Sequence, residues 1–169
     1  RTMKFDLNCD MQDGFVLIDQ GFLNELDSDM LYAMDVLLDT SGNSELIFDF
    51  PGEAWNDVRK RETKCIREFC NSGKMILWLI DGVEKECSFE YDDQIPAASK
   101  WLHLPTGNLL AVTASELIQC LSYPELEMEK TFEMTLKEGW YAISDDNMDQ
   151  VKYCLREPSG TIFDNIQET

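Results

Sequence analysis

Histidine occurs once in the 169 residues, at position 103. It sits inside the alternating run Trp101-Leu-His-Leu104, where a strand histidine with a structural role is expected. No second imidazole is present for a zinc site, and no local signature pairs His103 with a cysteine nucleophile. The six cysteines, at 9, 65, 70, 87, 120 and 154, form no Cys-x-x-Cys motif, and even Cys65 and Cys70 are spaced too widely. Gly-x-Ser-x-Gly, a phosphate loop, Gly-x-Gly-x-x-Gly and His-Glu-x-x-His are all missing, which removes the main signatures of hydrolases, nucleotide binders and metalloproteases. Nor does any apolar run approach 18 residues, so no spanning helix is expected. No export signal or lipidation motif is legible, and the scattered cysteines read as reduced, mostly buried thiols in a bacterial cytoplasm.

Basic residues are scarce as well. Fourteen Lys and Arg stand against 33 Asp and Glu, a net charge of −19. Residues 1–50 hold 11 acids and 2 bases (−9), residues 51–100 hold 10 and 8 (−2), and residues 101–169 hold 12 and 4 (−8). Only the middle block carries a basic run, Arg59-Lys60-Arg61 with Lys64 and Arg67. Such a field repels nucleic acid and anionic membranes and attracts basic partners. Solubility alone also accounts for acidity of this kind.

What is present describes a folded chain. Hydrophobic residues make up 44%, far from a disordered acidic tail. A chain of this length buries about 70% of its unfolded surface and needs no disulfide or metal staple. It fits one domain, 1–169, with the option of two similar lobes at 3–98 and 99–169. Arg1-Thr2 ahead of Met3 reads as an appended remnant.

Met3–Cys9, Phe15–Ile18, Glu45–Phe50, Met75–Ile80, Cys87–Tyr91, Trp101–Leu104, Leu109–Val112, Lys130–Leu136, Trp140–Ile143 and Val151–Leu155 read as strands. Cys87–Tyr91 is placed at a sheet edge. Ser28 and Asp29 are candidate caps for a helix through Leu38 that stops near Gly42, and Thr113-Ala-Ser-Glu116 reads as a capping box. Residues 53–71 fit either a helix or part of a hairpin, and the helix is adopted. The fold class that follows is α+β: β-rich, mostly antiparallel, with two or three short helices. Gly14–Leu23 echoes Gly107–Leu117, and Phe48–Trp55 echoes Met134–Trp140, so a pseudo-duplication is allowed for alongside chance similarity.

Asp145, Asn147 and Asp149 alternate as in the start of an EF-hand calcium loop. That loop needs Gly at position 6 and Glu at position 12. Here those positions are Gln150 and Arg156. The reading fails, and no metal or cofactor is expected. A carboxylate-dependent hydrolase stays open, because 33 acids will place some pairs at glycosidase separations by chance.

Leu104-Pro-Thr-Gly-Asn-Leu-Leu-Ala-Val112, a short helix, then Phe132-Glu-Met-Thr-Leu-Lys-Glu-Gly-Trp-Tyr-Ala-Ile143 resembles small competence-nuclease inhibitors and bacterial toxin-immunity proteins. The likeness spans about 40 residues and transfers no binding residue by position. It implies a non-catalytic inhibitor that occludes the active site of a cognate toxin domain with a basic surface, a nuclease or ADP-ribosyltransferase for instance. The candidate contact residues are Trp140 and Tyr141 beside Asp145, Asp146 and Asp149, with a second cluster of Glu84, Glu86, Glu90, Asp92 and Asp93. The other binding reading is a nucleic-acid mimic that inhibits a DNA-binding enzyme.

Overall fold

Phe15-Val-Leu-Ile18 and Met75-Ile-Leu-Trp-Leu-Ile80 offer no polar residue to water. Strands of that kind must be covered on both faces. In the computed structural model, which describes residues 2–39, 50–145 and 148–168, both are. They belong to β2 (Asp13–Asp19) and β3 (Met75–Ile80), in the middle layer of three.

That middle layer is a five-stranded sheet in the order β10-β3-β2-β6-β7, with β6 at Asn108–Thr113, β7 at Phe132–Thr135 and β10 at Ile166–Gln167. One face meets a second sheet, ordered β1-β4-β9-β8-β5, whose outer face is solvent-facing over β1 and β4 but covered over β5, β8 and β9, where Ile95 and Phe163 bury Trp101, Ala142 and Cys154. Its strands are β1 (Thr2–Cys9), β4 (Val83–Tyr91), β5 (Lys100–Leu104), β8 (Gly139–Asp145) and β9 (Gln150–Leu155). The other face of the middle sheet carries α1 (Ser28–Leu38), α3 (Lys64–Asn71) and α4 (Ala114–Ser122). Helix α2 (Trp55–Glu62) runs into α3 at Thr63, so residues 55–71 are helical, as adopted. A 3-10 turn, Gln20–Glu25, leads from β2 to α1. All pairings are antiparallel except β4–β9 and β3–β10. The architecture is α+β.

Period-two alternation splits β2 cleanly. Phe15 and Leu17 point to the inter-sheet core, and Val16 and Ile18 point to the helices. The two halves of the chain use one plan. Each runs outer strand, inner strand, helix, inner strand, outer strand: β1-β2-α-β3-β4, then β5-β6-α4-β7-β8. The inner pairs meet where β2 lies against β6, with Val16 opposite Val112. The outer pairs are separated by β9, between β4 and β8. Of the two sequence echoes, the first therefore falls on neighbouring strands. The second does not correspond in structure, since Trp55 opens a helix and Trp140 lies in a strand.

Other expectations change. Strand β4 is flanked by β1 and β9 and is not an edge. Asp27, not Ser28 or Asp29, caps α1 by accepting from Met30 N at 3.0 Å. The Thr113–Glu116 box does not form. Asp13, a hundred residues away in the chain, accepts from Ser115 N and Oγ at 3.0 and 2.6 Å, while Glu116 accepts from Glu129 N and Cys120 Sγ. A local motif thus yields to a tertiary cap that satisfies a different free amide of the first turn, Ser115 N. At the other end of β2, buried Asp19 accepts from Gly21 N, Thr106 N and Thr106 Oγ1. The strand proposed at 45–50 and the helix stop near Gly42 lie outside the described residues, apart from Phe50.

The end of the chain closes the structure. Asn165 is fully buried; its Nδ2 donates to the carbonyls of Cys70, Met75 and Trp101, and its Oδ1 accepts from Trp101 N. Glu168 accepts from Arg59 Nη1 at 3.2 Å and Arg67 Nη2 at 2.8 Å. Much of the basic run is therefore consumed internally. Burial disfavours the Glu168 carboxylate, but the hydrogen bond and charge of Arg67, with help from Arg59, outweigh it and hold the pKa below 4.5. A depressed folded-state pKa gives stability that is complete above the unfolded value and lost as pH falls through the folded one. The stability difference between wild type and Glu168→Gln is therefore expected to be constant above about pH 5 and to shrink on acidification. Urea melts across acidic pH measure it, and a difference independent of pH would refute a stabilising role for the Glu168 ion pairs with Arg59 and Arg67.

Candidate docking surface

Strand alternation decides where each candidate residue points. On β8, Tyr141 faces the inter-sheet core, is buried, and donates its hydroxyl to the Lys137 carbonyl. Burial raises its pKa. Trp140 takes the opposite face and stacks on His103, with ring centroids 4.5 Å apart and planes 8° from parallel. A Cβ on Gly73 would come within 2.3 Å of the Trp140 ring, and φ at Gly73 is +89°, so glycine is required for this packing. Neither aromatic is an exposed anchor. The lone histidine is half-buried in this stack, in the structural role expected.

Asp145 corrects the sequence reading most sharply. As the last residue of β8 it points between the sheets, and its side chain is only 1% exposed. Trp78 donates its indole N–H to Asp145 Oδ2 at 2.6 Å, and the buried Lys100 ammonium lies 4.0 Å from the same oxygen. A strand end beside a loop had suggested a surface acid. Parity along β8 (Tyr141, Ile143, Asp145) puts it inside instead. Asp149 does lie outside, ion-paired with Lys85 at 3.1 Å. Asp146 falls outside the described residues. The 145–149 stretch is thus not one acidic face.

The second acidic group fares better. Glu84 and Glu86 are exposed and Glu90 half-buried on the outer face of β4. Asp6 on β1 stands directly opposite Glu86, a like-charge pairing that costs stability. Beyond the strand, Asp93 is exposed and Asp92 pairs with Lys152 at 3.4 Å. The Gln94 amide, then Lys152, hold the Asp92 carboxyl below its usual value.

At one end of the three layers lies a cleft of about 620 Å³. The β1–β2 turn contributes Asp10, Met11 and Gln12, the turn after β3 contributes Asp81, and α1 contributes Asp35 and Leu38, followed by Asp39. Ser115, Ile118, Gln119 and Ser122 of α4, with Tyr123, complete the wall. Among the described residues, four aspartates and no lysine or arginine line it. Met11 is 73% exposed and Tyr123 57% exposed. Sequence reasoning missed this site because its residues are dispersed over four segments. The one legible sign was an acid-rich turn, Asp10-Met-Gln-Asp13, carrying an apolar residue at its tip. Among the described residues no three His, Cys, Asp or Glu side chains are grouped so as to hold a metal ion, and none of the six cysteines is in a disulfide.

No family model matches the chain, and no curated protein matches it. Among solved structures it is similar to a chain described as Crocagin biosynthetic gene J, at 11% identity and a TM-score of 0.38, over 93% of this chain and 99% of that one.

Proposed function

We propose that this protein is an immunity-type inhibitor that binds a basic protein domain and occludes it, with no chemistry of its own. The observation that carries the reading is the cleft in which the carboxylates of Asp10, Asp35 and Asp81 share one wall with exposed Met11 and Tyr123. Uniform negative charge speeds encounter with a basic partner and rejects acidic ones. Apolar and aromatic anchors at the centre of a charged rim then supply affinity. The β4 row of Glu84, Glu86 and Glu90 extends the steering field away from the cleft. A nucleic-acid mimic would need an unbroken row of negative charge, whereas Lys4 and Lys152 lie on the same outer face, with Lys152 beside Glu90.

The test is binding to, and protection from, candidate toxin domains encoded in neighbouring reading frames. Asp35→Lys with Asp81→Lys is expected to weaken binding about a hundredfold or more, mainly through faster dissociation. Glu84→Lys with Glu86→Lys is expected to slow association and reduce its salt dependence while leaving dissociation little changed. If the cleft double variant binds and protects as well as wild type, the cleft is not the interface. Competition of the partner by duplex DNA would favour the mimic.

A further inference from the structure

Sheets in solution must deal with their edges, because an unpaired strand presents free backbone donors and acceptors. Among the described residues there are four edge strands, and three are short or closed. Strand β10 is two residues long and β7 four. The free side of β5 is occupied: His103 N donates to the Gly73 carbonyl at 2.8 Å, and the Asn165 carboxamide bonds both N and O of Trp101. Strand β1 differs. It spans eight residues, pairs only with β4, and nothing among the described residues covers its other side.

We infer that β1 is a homodimer edge, pairing antiparallel with β1 of a second copy about a twofold axis at Phe5. The sequence Thr2-Met-Lys-Phe-Asp-Leu-Asn-Cys9 is complementary to itself in that register. Lys4 falls opposite the second copy's Asp6, and Asp6 opposite its Lys4. Thr2 meets Asn8 on the same solvent face. On the inner face Met3 meets Leu7, and Phe5 meets its own copy. Lys4 and Asp6 are both exposed and have no ion pair among the described residues. Asp6 already faces Glu86 on β4, so a lysine arriving on its free side offsets an existing repulsion. The two five-stranded solvent sheets become one continuous sheet across the axis. Asp10 lies five residues from the axis, about 17 Å along the strand, so both acidic clefts stay open at opposite ends. The association is independent of the inhibitor reading.

One strand pair buries less than the roughly 1,600 Å² of a standard interface, and two chains of charge −19 repel. The dimer is therefore weak, reversible and concentration-dependent, and is best sought at physiological ionic strength, where the screening length is about 8 Å. Sedimentation velocity over a wide concentration range is expected to show a monomer–dimer equilibrium. Asp6→Lys or Lys4→Asp alone places two like-charge pairs at the axis and is expected to raise the dissociation constant about tenfold or more. The combined Lys4→Asp, Asp6→Lys variant restores complementarity and is expected to return to within about threefold of wild type. Circular-dichroism melts confirm folding, and Asp6→Lys is expected to melt no lower than wild type because it removes the clash with Glu86. A wild type monomeric throughout overturns the inference. So does a single variant that dimerises normally, or a charge swap no better than the singles.

Discussion

Replacing Asn165 with alanine is expected to destabilise the protein by about 3 kcal/mol or more, because the Met75 and Trp101 carbonyls and the Trp101 N–H lose their Asn165 partner at about 1–3 kcal/mol each before relaxation. One carboxamide holds together three parts of the molecule: the end of α3 through Cys70, the start of β3 through Met75, and the edge of β5 through Trp101. Its amide has two hydrogens for three carbonyls, so one hydrogen is shared. Removing it strands the Met75 and Trp101 carbonyls and the Trp101 N–H in a site with no solvent access, while the Cys70 carbonyl keeps the Gly73 N–H at 3.0 Å. Water cannot enter cheaply where the side chain is fully buried. Asn165→Asp is expected to be worse than alanine, since it turns a carboxylate oxygen towards carbonyl oxygens. Stabilities of single domains are about 5–15 kcal/mol, so either change consumes much of the total. Urea unfolding followed by tryptophan fluorescence measures it. A loss below about 1 kcal/mol would show that the carboxamide contacts do not hold the end of the chain.

Lys100→Met is expected to cost about 3–5 kcal/mol, the range for stripping one partner from a buried ion pair. The methionine fills the space of the lysine stem, so packing is not the reason. The reason is Asp145: its carboxylate is almost completely enclosed, Oδ1 has no hydrogen-bond partner among the described residues, and without Lys100 only the Trp78 N–H faces it. A second substitution separates charge from shape. Asp145→Asn in the Lys100→Met background removes the stranded charge while keeping an acceptor for Trp78, and is expected to recover most of the loss. If the double variant is no more stable than Lys100→Met alone, the cost lies in packing.

How much of this was legible in the sequence depended on whether the information was local. The runs at Phe15–Ile18 and Met75–Ile80 announced strands covered on both sides, and they lie at the centre of the molecule. The helical spacing of Ala54, Trp55, Val58, Ile66 and Phe69 was a better guide than the hairpin reading, with Thr63 the only break. Sheet membership was another matter. Nothing near Cys87–Tyr91 says that β9, sixty residues later, will pair in parallel on its far side, so the strand was taken for an edge. The capping box failed for the same reason, because the competing acceptor, Asp13, comes from the opposite half of the chain.

The candidate site was legible as chemistry and not as place. Acidity pointed to a basic partner, and Glu84, Glu86 and Asp93 do face solvent. Alternation requires one of Trp140 and Tyr141 to face the core, and it is Tyr141; the same parity, not applied to the acids, carries Asp145 inside. The sequence shows that parity in Tyr141-Ala-Ile-Ser-Asp145, once Ile143 is fixed inside. The cleft could not have been assembled beforehand, since Asp10, Asp35, Asp81 and Tyr123 share no segment.

Strand β9 between β4 and β8 also fixes when this protein can fold. The first half produces β4 early, but its neighbour on one side is made only at Gln150–Leu155. Strand β2 likewise waits for β6, and β3 for the Ile166–Gln167 pairing. Closing loops of this length before any contact rewards them is slow. On the ribosome the first hundred residues can pair β1 with β4 and β2 with β3, but β2, β3 and β4 each lack one neighbour until residues 108–167 have emerged. For that interval the chain's negative charge keeps nascent copies apart, a use for acidity that precedes any partner.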